Sequence, residues 1–194
     1  MPRRLVYYVA VTIDGFIART DGSFDCFLMG GEHFQDLIQE FPETFPAHAR
    51  SYFGVSEGSK RFDTVLMGKA TYEVGLKEGI NSPYNPLRQY VVSSSLEANV
   101  LGPDVEVCRN NPIELVNRLK SEEGSNKDIW LCGGGKLAGA LMDEIDDLIL
   151  KINPVLIGAG IPLFEGAALT ARKAKLIEHR TYENGFVRAH YTLE

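Results

Sequence analysis

The chain reads as an α/β protein with a mainly parallel central sheet that ends in an antiparallel hairpin, and three observations carry that reading. Apolar, β-rich runs alternate with helical patterns along the whole length. Several of these runs are continuously apolar, as expected of strands covered by helices on both faces. The last two runs instead alternate around Asn184-Gly185, a dipeptide suited to the positive φ of a two-residue hairpin turn.

Taken in order, "RLVYYVAVTI" predicts a first buried strand. Phe34, Leu37, Ile38 and Phe41 recur at i, i+3, i+4 and i+7, the stripe of an amphipathic helix that Pro42 closes. "DTVLMG" is a second buried strand leading into a short helix, "KATYEVG", and "QYVVSS" and "VEVCR" predict further strands. In "NPIELVNRL", Asn111 suits the cap and Pro112 the first helical position, with Ile113, Val116 and Leu119 as the inner face. "DIWLCG" then runs into three glycines, a helix from about Lys136, and the strand "LILKI". The hairpin "LIEHRTYENGFVRAHYTL" ends the chain.

A chain of 194 residues with 44% hydrophobic content suits one domain spanning residues 1–194. A net charge of −6 gives no support to a nucleic-acid surface. Cys26, Cys108 and Cys132 are odd in number and lie in or beside apolar runs, which predicts buried free thiols in a reducing compartment. The four histidines are scattered without metal-ligand spacing, so no metal site is expected. No run reaches about 18 uninterrupted apolar residues, and the expectation is a cytoplasmic protein without a membrane partner.

The triple glycine invites a nucleotide-binding reading. Gly133-Gly134-Gly135-Lys136-Leu137-Ala138 fits a loose G-x-G-x-x-[G/A] between a strand and a helix, where free N–H groups attract a pyrophosphate. The Rossmann pattern, however, wants an acid at the end of the next strand, and this chain has Lys151, Ile152 and Asn153 there. A P-loop fails as well, because Gly68-Lys69 and Gly135-Lys136 are followed by Ala70 and Leu137 rather than Ser or Thr.

The order "VTIDGFIA", "DTVLMGKATYEVG", "YVVSSSL", "WLCGGGKLAGALM" and "DDLILKINPVLIGAGIPLFEG" resembles the dihydrofolate-reductase-like superfamily, and within it the RibD C-terminal family of riboflavin biosynthesis. That resemblance implies a three-layer α/β/α fold, an NADPH cofactor lying across the C-terminal edge of the sheet, a small-molecule substrate and a homodimer. Gly68, Lys69, Ala70 and Thr71 match the family's G-[RK]-x-T turn, which implies pyrophosphate contact at the helix start and a 2′-phosphate on the basic residue. Ser93 and Ser94, with Ser95 beside them, match the serines that meet the same 2′-phosphate. Gly133, Gly134, Gly135 and Lys136, followed by Leu137, match a turn whose Gly-Gly peptide is often cis and lets pyrophosphate and nicotinamide approach. "AVTIDGFIA" matches S-x-D-G-x-I-A, which implies Ala10 and Ile17 beside the nicotinamide.

Catalytic candidates are fewer. Asp14 lies at a strand end facing the proposed cleft, and Asp25 lies in a loop between Phe24 and Phe27; each also reads as an ordinary turn residue. Glu32 and Asp36 occupy the first helix, but Asp36 lies about 200° around it from Phe34 and is expected to face solvent. Arg88 is the basic residue to watch for a substrate phosphate, and "VLIGAGIPLFEG" is expected to line the far rim of the cleft. The reading is an NADPH-dependent reductase acting on a small heterocyclic or sugar-derived substrate. Folate reduction and a catalytically silent nucleotide-binding module remain as alternatives.

Overall fold

Along β1 (Leu5–Thr12), Leu5, Tyr7 and Val9 join one hydrophobic cluster while Val6 and Tyr8 join another. Side chains alternate along a strand, so a strand apolar at every position requires a packing layer on each face. The computed structural model, which describes residues 2–55, 58–167 and 171–194, supplies both layers. The remaining strands are β2 (Phe16–Ala18), β3 (Phe62–Gly68), β4 (Arg88–Val92), β5 (Val105–Cys108), β6 (Asp128–Gly133), β7 (Asp147–Asn153), β8 (Ile161–Pro162), β9 (Ala174–Thr181) and β10 (Val187–Leu193). The helices are α1 (Glu32–Glu40), α2 (Ala47–Phe53), α3 (Lys69–Lys77), α4 (Pro112–Ser121) and α5 (Gly135–Ala140).

The main sheet has the order β5-β4-β3-β6-β1-β7-β10-β9. Pairings from β5 to β7 are parallel, whereas β7–β10 and β10–β9 are antiparallel. After β1 the chain passes to β3, proceeds outward to β5, and returns as β6 between β3 and β1. The loops leaving β1, β3 and β6 therefore emerge side by side at the C-terminal edge, where open α/β sheets bind ligands. Leu115, Val116 and Leu119 of α4 and Leu137 and Ala138 of α5 cover one face; Leu37 of α1 and Tyr72 of α3 cover the other.

The structure departs from the sequence expectations in four places. The inner face of α4 is Leu115, Val116 and Leu119, while Ile113 is exposed. At roughly 100° per residue, Leu115 and Leu119 fall on one side of Val116 and Ile113 about 60° to the other, so Ile113 is rotated off the sheet. Asp36 does not face solvent: it accepts from Arg180 Nη1 at 2.6 Å and Tyr182 Oη at 2.9 Å, because the terminal hairpin reaches the side of α1 opposite Phe34. The three cysteines are free as expected, but half-buried rather than buried. The short pair β2–β8 and helix α2 have no sequence-level forecast, since each is too short to show a period.

Candidate functional site

Two features meet at the C-terminal edge. The first is a convergence of glycine-bearing turns. A side-chain carbon placed on Gly134 would lie 3.6 Å from Thr71 Oγ1 and 3.9 Å from Ile17 Cδ1, and one on Gly68 would lie 3.6 Å from the Gly133 oxygen. Thus Ile17 from β2, Gly68 and Thr71 from the β3–α3 turn, and Gly133 and Gly134 from the β6–α5 turn adjoin one another. The Gly133-Gly134 peptide is cis, and Gly133 has φ +123°, a region that L side chains rarely adopt. Gly135 has a different reason for lacking a side chain, because a Cβ there would overlap the carbonyl oxygen of Pro162 in β8. The segment around Pro162 therefore borders this turn directly.

Around that convergence, Lys69 Nζ donates to Ser95 Oγ at 3.1 Å and lies 3.7 Å from Glu73. Ser93 is buried, and its Oγ accepts from the N–H groups of Ser95 at 3.2 Å and Leu96 at 3.0 Å, which shapes the loop after β4. Ser94 is exposed, and its carbonyl accepts from Arg109 Nη1 at 3.4 Å. Ala70 is exposed, Lys136 is exposed with Glu165 at 3.6 Å, and Leu137 belongs to the core. Arg109 was not singled out in the sequence. Its signal was its place just past β5, since parallel strands bring their ends to one edge.

The second feature is a cavity of about 210 Å³ walled by Ala10 and Tyr8 of β1, Lys151 and Asn153 of β7, Phe186, the loop residues Phe24, Phe27, Leu28 and Met29, and Phe34, Leu37, Thr44 and Phe45. The register pairs Ala10 with Lys151 and Thr12 with Asn153, so these side chains share the face covered by α1. Asn153 Oδ1 accepts from Leu28 N at 2.9 Å and pins the aromatic loop over the strand ends. His33, stacked on Phe186 at 4.2 Å, holds Asn184 of the hairpin at 2.9 Å and is pushed below its ordinary pKa by burial.

Neither catalytic carboxylate from the sequence lies in this wall. Asp14 Oδ2 accepts from Gly158 N at 2.7 Å and Ile157 N at 3.1 Å, fastening the β1–β2 turn to the loop after β7. The Thr12 hydroxyl and those backbone groups, against the opposing effect of burial, hold its carboxyl below the usual carboxylate range. Asp25 is exposed and pairs with Arg19 at 3.2 Å. Glu32 is exposed, and Arg88 sits at the opposite edge of the sheet, donating to Glu122 at 2.6 Å. Sequence reasoning passed over Lys151, whose signal was a lone cation within the apolar run "LILKI". Burial pulls its ammonium down to about 8. Among the described residues, no cluster of His, Cys, Asp and Glu could hold a metal ion, and no helix is long and apolar enough to cross a membrane.

Known proteins share this architecture. The Bacillus subtilis protein YwjB, described as uncharacterized, is 34% identical over 166 residues, 84% of either chain. A putative riboflavin biosynthesis protein from Shewanella sp. PV-4 superposes with a TM-score of 0.71 at 19% identity, covering 100% of this chain and 99% of that one. Dihydrofolate reductase from Enterococcus faecalis, solved with NADP(H), superposes with a TM-score of 0.59 at 15% identity over 98% of this chain and 96% of its own. The fold is accordingly dihydrofolate-reductase-like. With its β6 returning between β3 and β1, and with the RibD C-terminal domain model matching residues 3–188, the chain belongs to the RibD C-terminal domain family.

Proposed function

We propose that this protein is an NADPH-dependent reductase whose substrate occupies the cavity beside Ala10 and Lys151. The observation that carries this reading is the meeting of Gly68, Thr71, Gly133, Gly134 and Ile17 at the sheet edge next to an aromatic-walled cavity. The space at Gly134 fits a ligand approaching the backbone, because nothing but Thr71 and Ile17 stands within 4 Å of an added carbon. Bound NADPH would supply the hydride, delivered to a C=N or C=O carbon of a small heterocyclic or sugar-derived substrate.

This chain's residues would bind and orient. The start of α3 and the Thr71 hydroxyl receive a pyrophosphate, as helix N-termini favour anions. Lys69, with the hydroxyls of Ser93 and Ser95 close by and Ser94 exposed beside them, receives the 2′-phosphate. Gly135, Lys136, Leu137 and Ala70 frame the two turns, and the phenylalanines of the cavity exclude water from the reacting atoms. Asp14 acts here by holding the turn that carries Ile17, and Asp25 by bracing the aromatic loop through Arg19. The homodimer belongs to the same proposal and is read by sedimentation equilibrium. A second reading, a binding module without catalysis, is favoured by the absence of any carboxylate among the described residues of the cavity wall.

Separate titrations with NADPH and NADH, followed by the fluorescence of Trp130 in β6, test the assignment. NADPH is expected to bind and NADH to bind at least tenfold more weakly. Lys69→Ala should weaken NADPH and leave NADH unchanged; equal weakening of both would remove the 2′-phosphate role. NADPH binding without oxidation across pterins, pyrimidines and carbonyl compounds would favour the silent module.

A further inference from the structure

Among the described residues of the cavity wall, Lys151 is the one charged side chain, and its Nζ contacts the Tyr8 ring but no carboxylate. The other polar walls are already engaged. Asn153 accepts from Leu28 N and donates to the Lys151 carbonyl at 3.0 Å, and the Thr44 hydroxyl donates to the Phe41 carbonyl at 2.8 Å. Arg188, paired with Lys151 across β7–β10, is neutralised by Glu40 at 3.1 Å and Glu178 at 2.8 Å. Cys132 faces Lys151 from β6, but burial pushes its thiol up to about 11 and keeps it neutral. From β1, Tyr8 offers only its ring, 4.2 Å below Nζ, and burial raises its phenol as well. Among the described residues no carboxylate pairs with Lys151.

A half-buried ammonium set among apolar walls, with an aromatic ring but no counter-ion beside it, is partly desolvated, and a ligand that brings an anionic oxygen offsets that cost. The walls around it are aromatic, with Phe24, Phe27, Phe34 and Phe45 surrounding a space of about 210 Å³. Such walls favour a flat ring over an extended chain. We propose that the cavity takes a small planar aromatic or heteroaromatic anion, its ring among the phenylalanines and its ionised oxygen on Lys151 Nζ. In calling this anion the substrate class, the proposal rests on the reductase reading; in assigning it to the cavity, it does not.

The test uses the whole protein and a matched pair of probes, 2-naphthoate and its neutral isostere 2-naphthamide, titrated calorimetrically. Wild type is expected to prefer the carboxylate by at least tenfold. Because burial pulls the Lys151 ammonium down to about 8, that preference should decline toward parity as pH rises above 8, with proton uptake on binding visible there as a buffer-dependent heat. Lys151→Met should abolish the preference and retain the amide, and Lys151→Arg should restore part of it. Thermal melts of both variants report folding, and amide binding by Lys151→Met shows that the cavity persists. Equal affinity for the two probes, an unchanged preference in Lys151→Met, or no binding of either probe would overturn the proposal. NADPH titration of the same samples separates the two ideas: loss of the cofactor reading leaves the anion preference standing, and the reverse also holds.

Discussion

At the residue scale, three adjacent glycines answer to three different constraints. Gly133 adopts φ +123°, Gly134 faces the open space between Thr71 and Ile17, and Gly135 meets the Pro162 carbonyl. Their replacement should therefore separate binding from folding. Gly134→Ala is expected to retain wild-type stability, since its contacts would be ordinary, while losing at least tenfold in NADPH affinity by fluorescence titration. Gly135→Ala must push backbone apart and should cost about 1–3 kcal/mol or more in urea denaturation. His33 supplies a pH-dependent contribution. Burial holds its pKa in the folded chain below the ordinary 6.5, so the unfolded chain binds the proton more readily. Stability is then full above about 6.5, falls as pH drops through that value, and levels off below the folded pKa. Urea midpoints measured from pH 7.5 to 5 should show this slope, and His33→Gln should flatten it. The triple glycine was visible in the sequence; its division of labour was not, because Pro162 lies 27 positions away along the chain.

At the scale of elements, α4 is the segment whose start was most legible. Asn111 Oδ1 accepts from Ile113 N at 3.0 Å, with Pro112 at the first helical position. Asn111→Ala should cost about 1 kcal/mol in thermal or urea unfolding, with little effect on naphthoate binding in the cavity, which lies on the other face of the sheet from α4. The rotation of the same helix was less legible, because apolar spacing from Ile113 to Val116 fits a stripe as well as Leu115 to Leu119 does. Only packing against the sheet selects between them. Helix α1 shows the converse case: its inner stripe was read correctly, but its outer face was assigned to solvent. Arg180 and Tyr182 of the hairpin occupy that face instead, and they come from 144 and 146 positions along the chain.

Across the whole molecule, the two edges of the sheet do different work. The C-terminal edge carries the glycine turns and the cavity. The N-terminal edge carries charge networks that hold strand starts together. Buried Asp147 accepts from Arg4 Nη2 at 2.7 Å, Thr192 Oγ1 at 2.7 Å and Arg61 Nη2 at 3.2 Å, linking β7 to β10 and to the chain entering β1 and β3. Burial alone would raise its carboxyl, but His190, Thr192 and Arg4 more than reverse that, leaving it below the ordinary range. Arg3 similarly joins Asp63, Glu122 and Thr64. Asp147→Asn is expected to destabilise by about 1–2 kcal/mol, because two partly exposed arginines and Thr192 lose the buried carboxylate they share. Naphthoate and NADPH binding, measured well below the melting temperature, should be unchanged. Arg88, which the sequence offered as a substrate ligand, belongs to this stabilising edge.

Strand and helix identity, the hairpin and the order of the glycine-bearing turns were determined by the sequence itself, because each depends on local periodicity or on backbone freedom at a few neighbouring residues. The family likeness was legible for the same reason, since its motifs are local and only their order matters. What the tertiary structure decided was which side chains share a wall. Asp14 and Asp25, the carboxylates that the sequence offered for catalysis, lie outside the cavity wall and contact Ile157, Gly158 and Arg19, whereas Lys151, which entered the sequence reading only where a Rossmann acid would stand, lies within that wall. Its setting is made by Ala10 and Tyr8 from β1, Cys132 from β6, and phenylalanines from α1, from the segments before α1 and α2 and from the terminal hairpin. The energy of an enclosed charge depends on the neighbours that desolvate it and on the absence of a partner, and strand pairing between distant segments settles both.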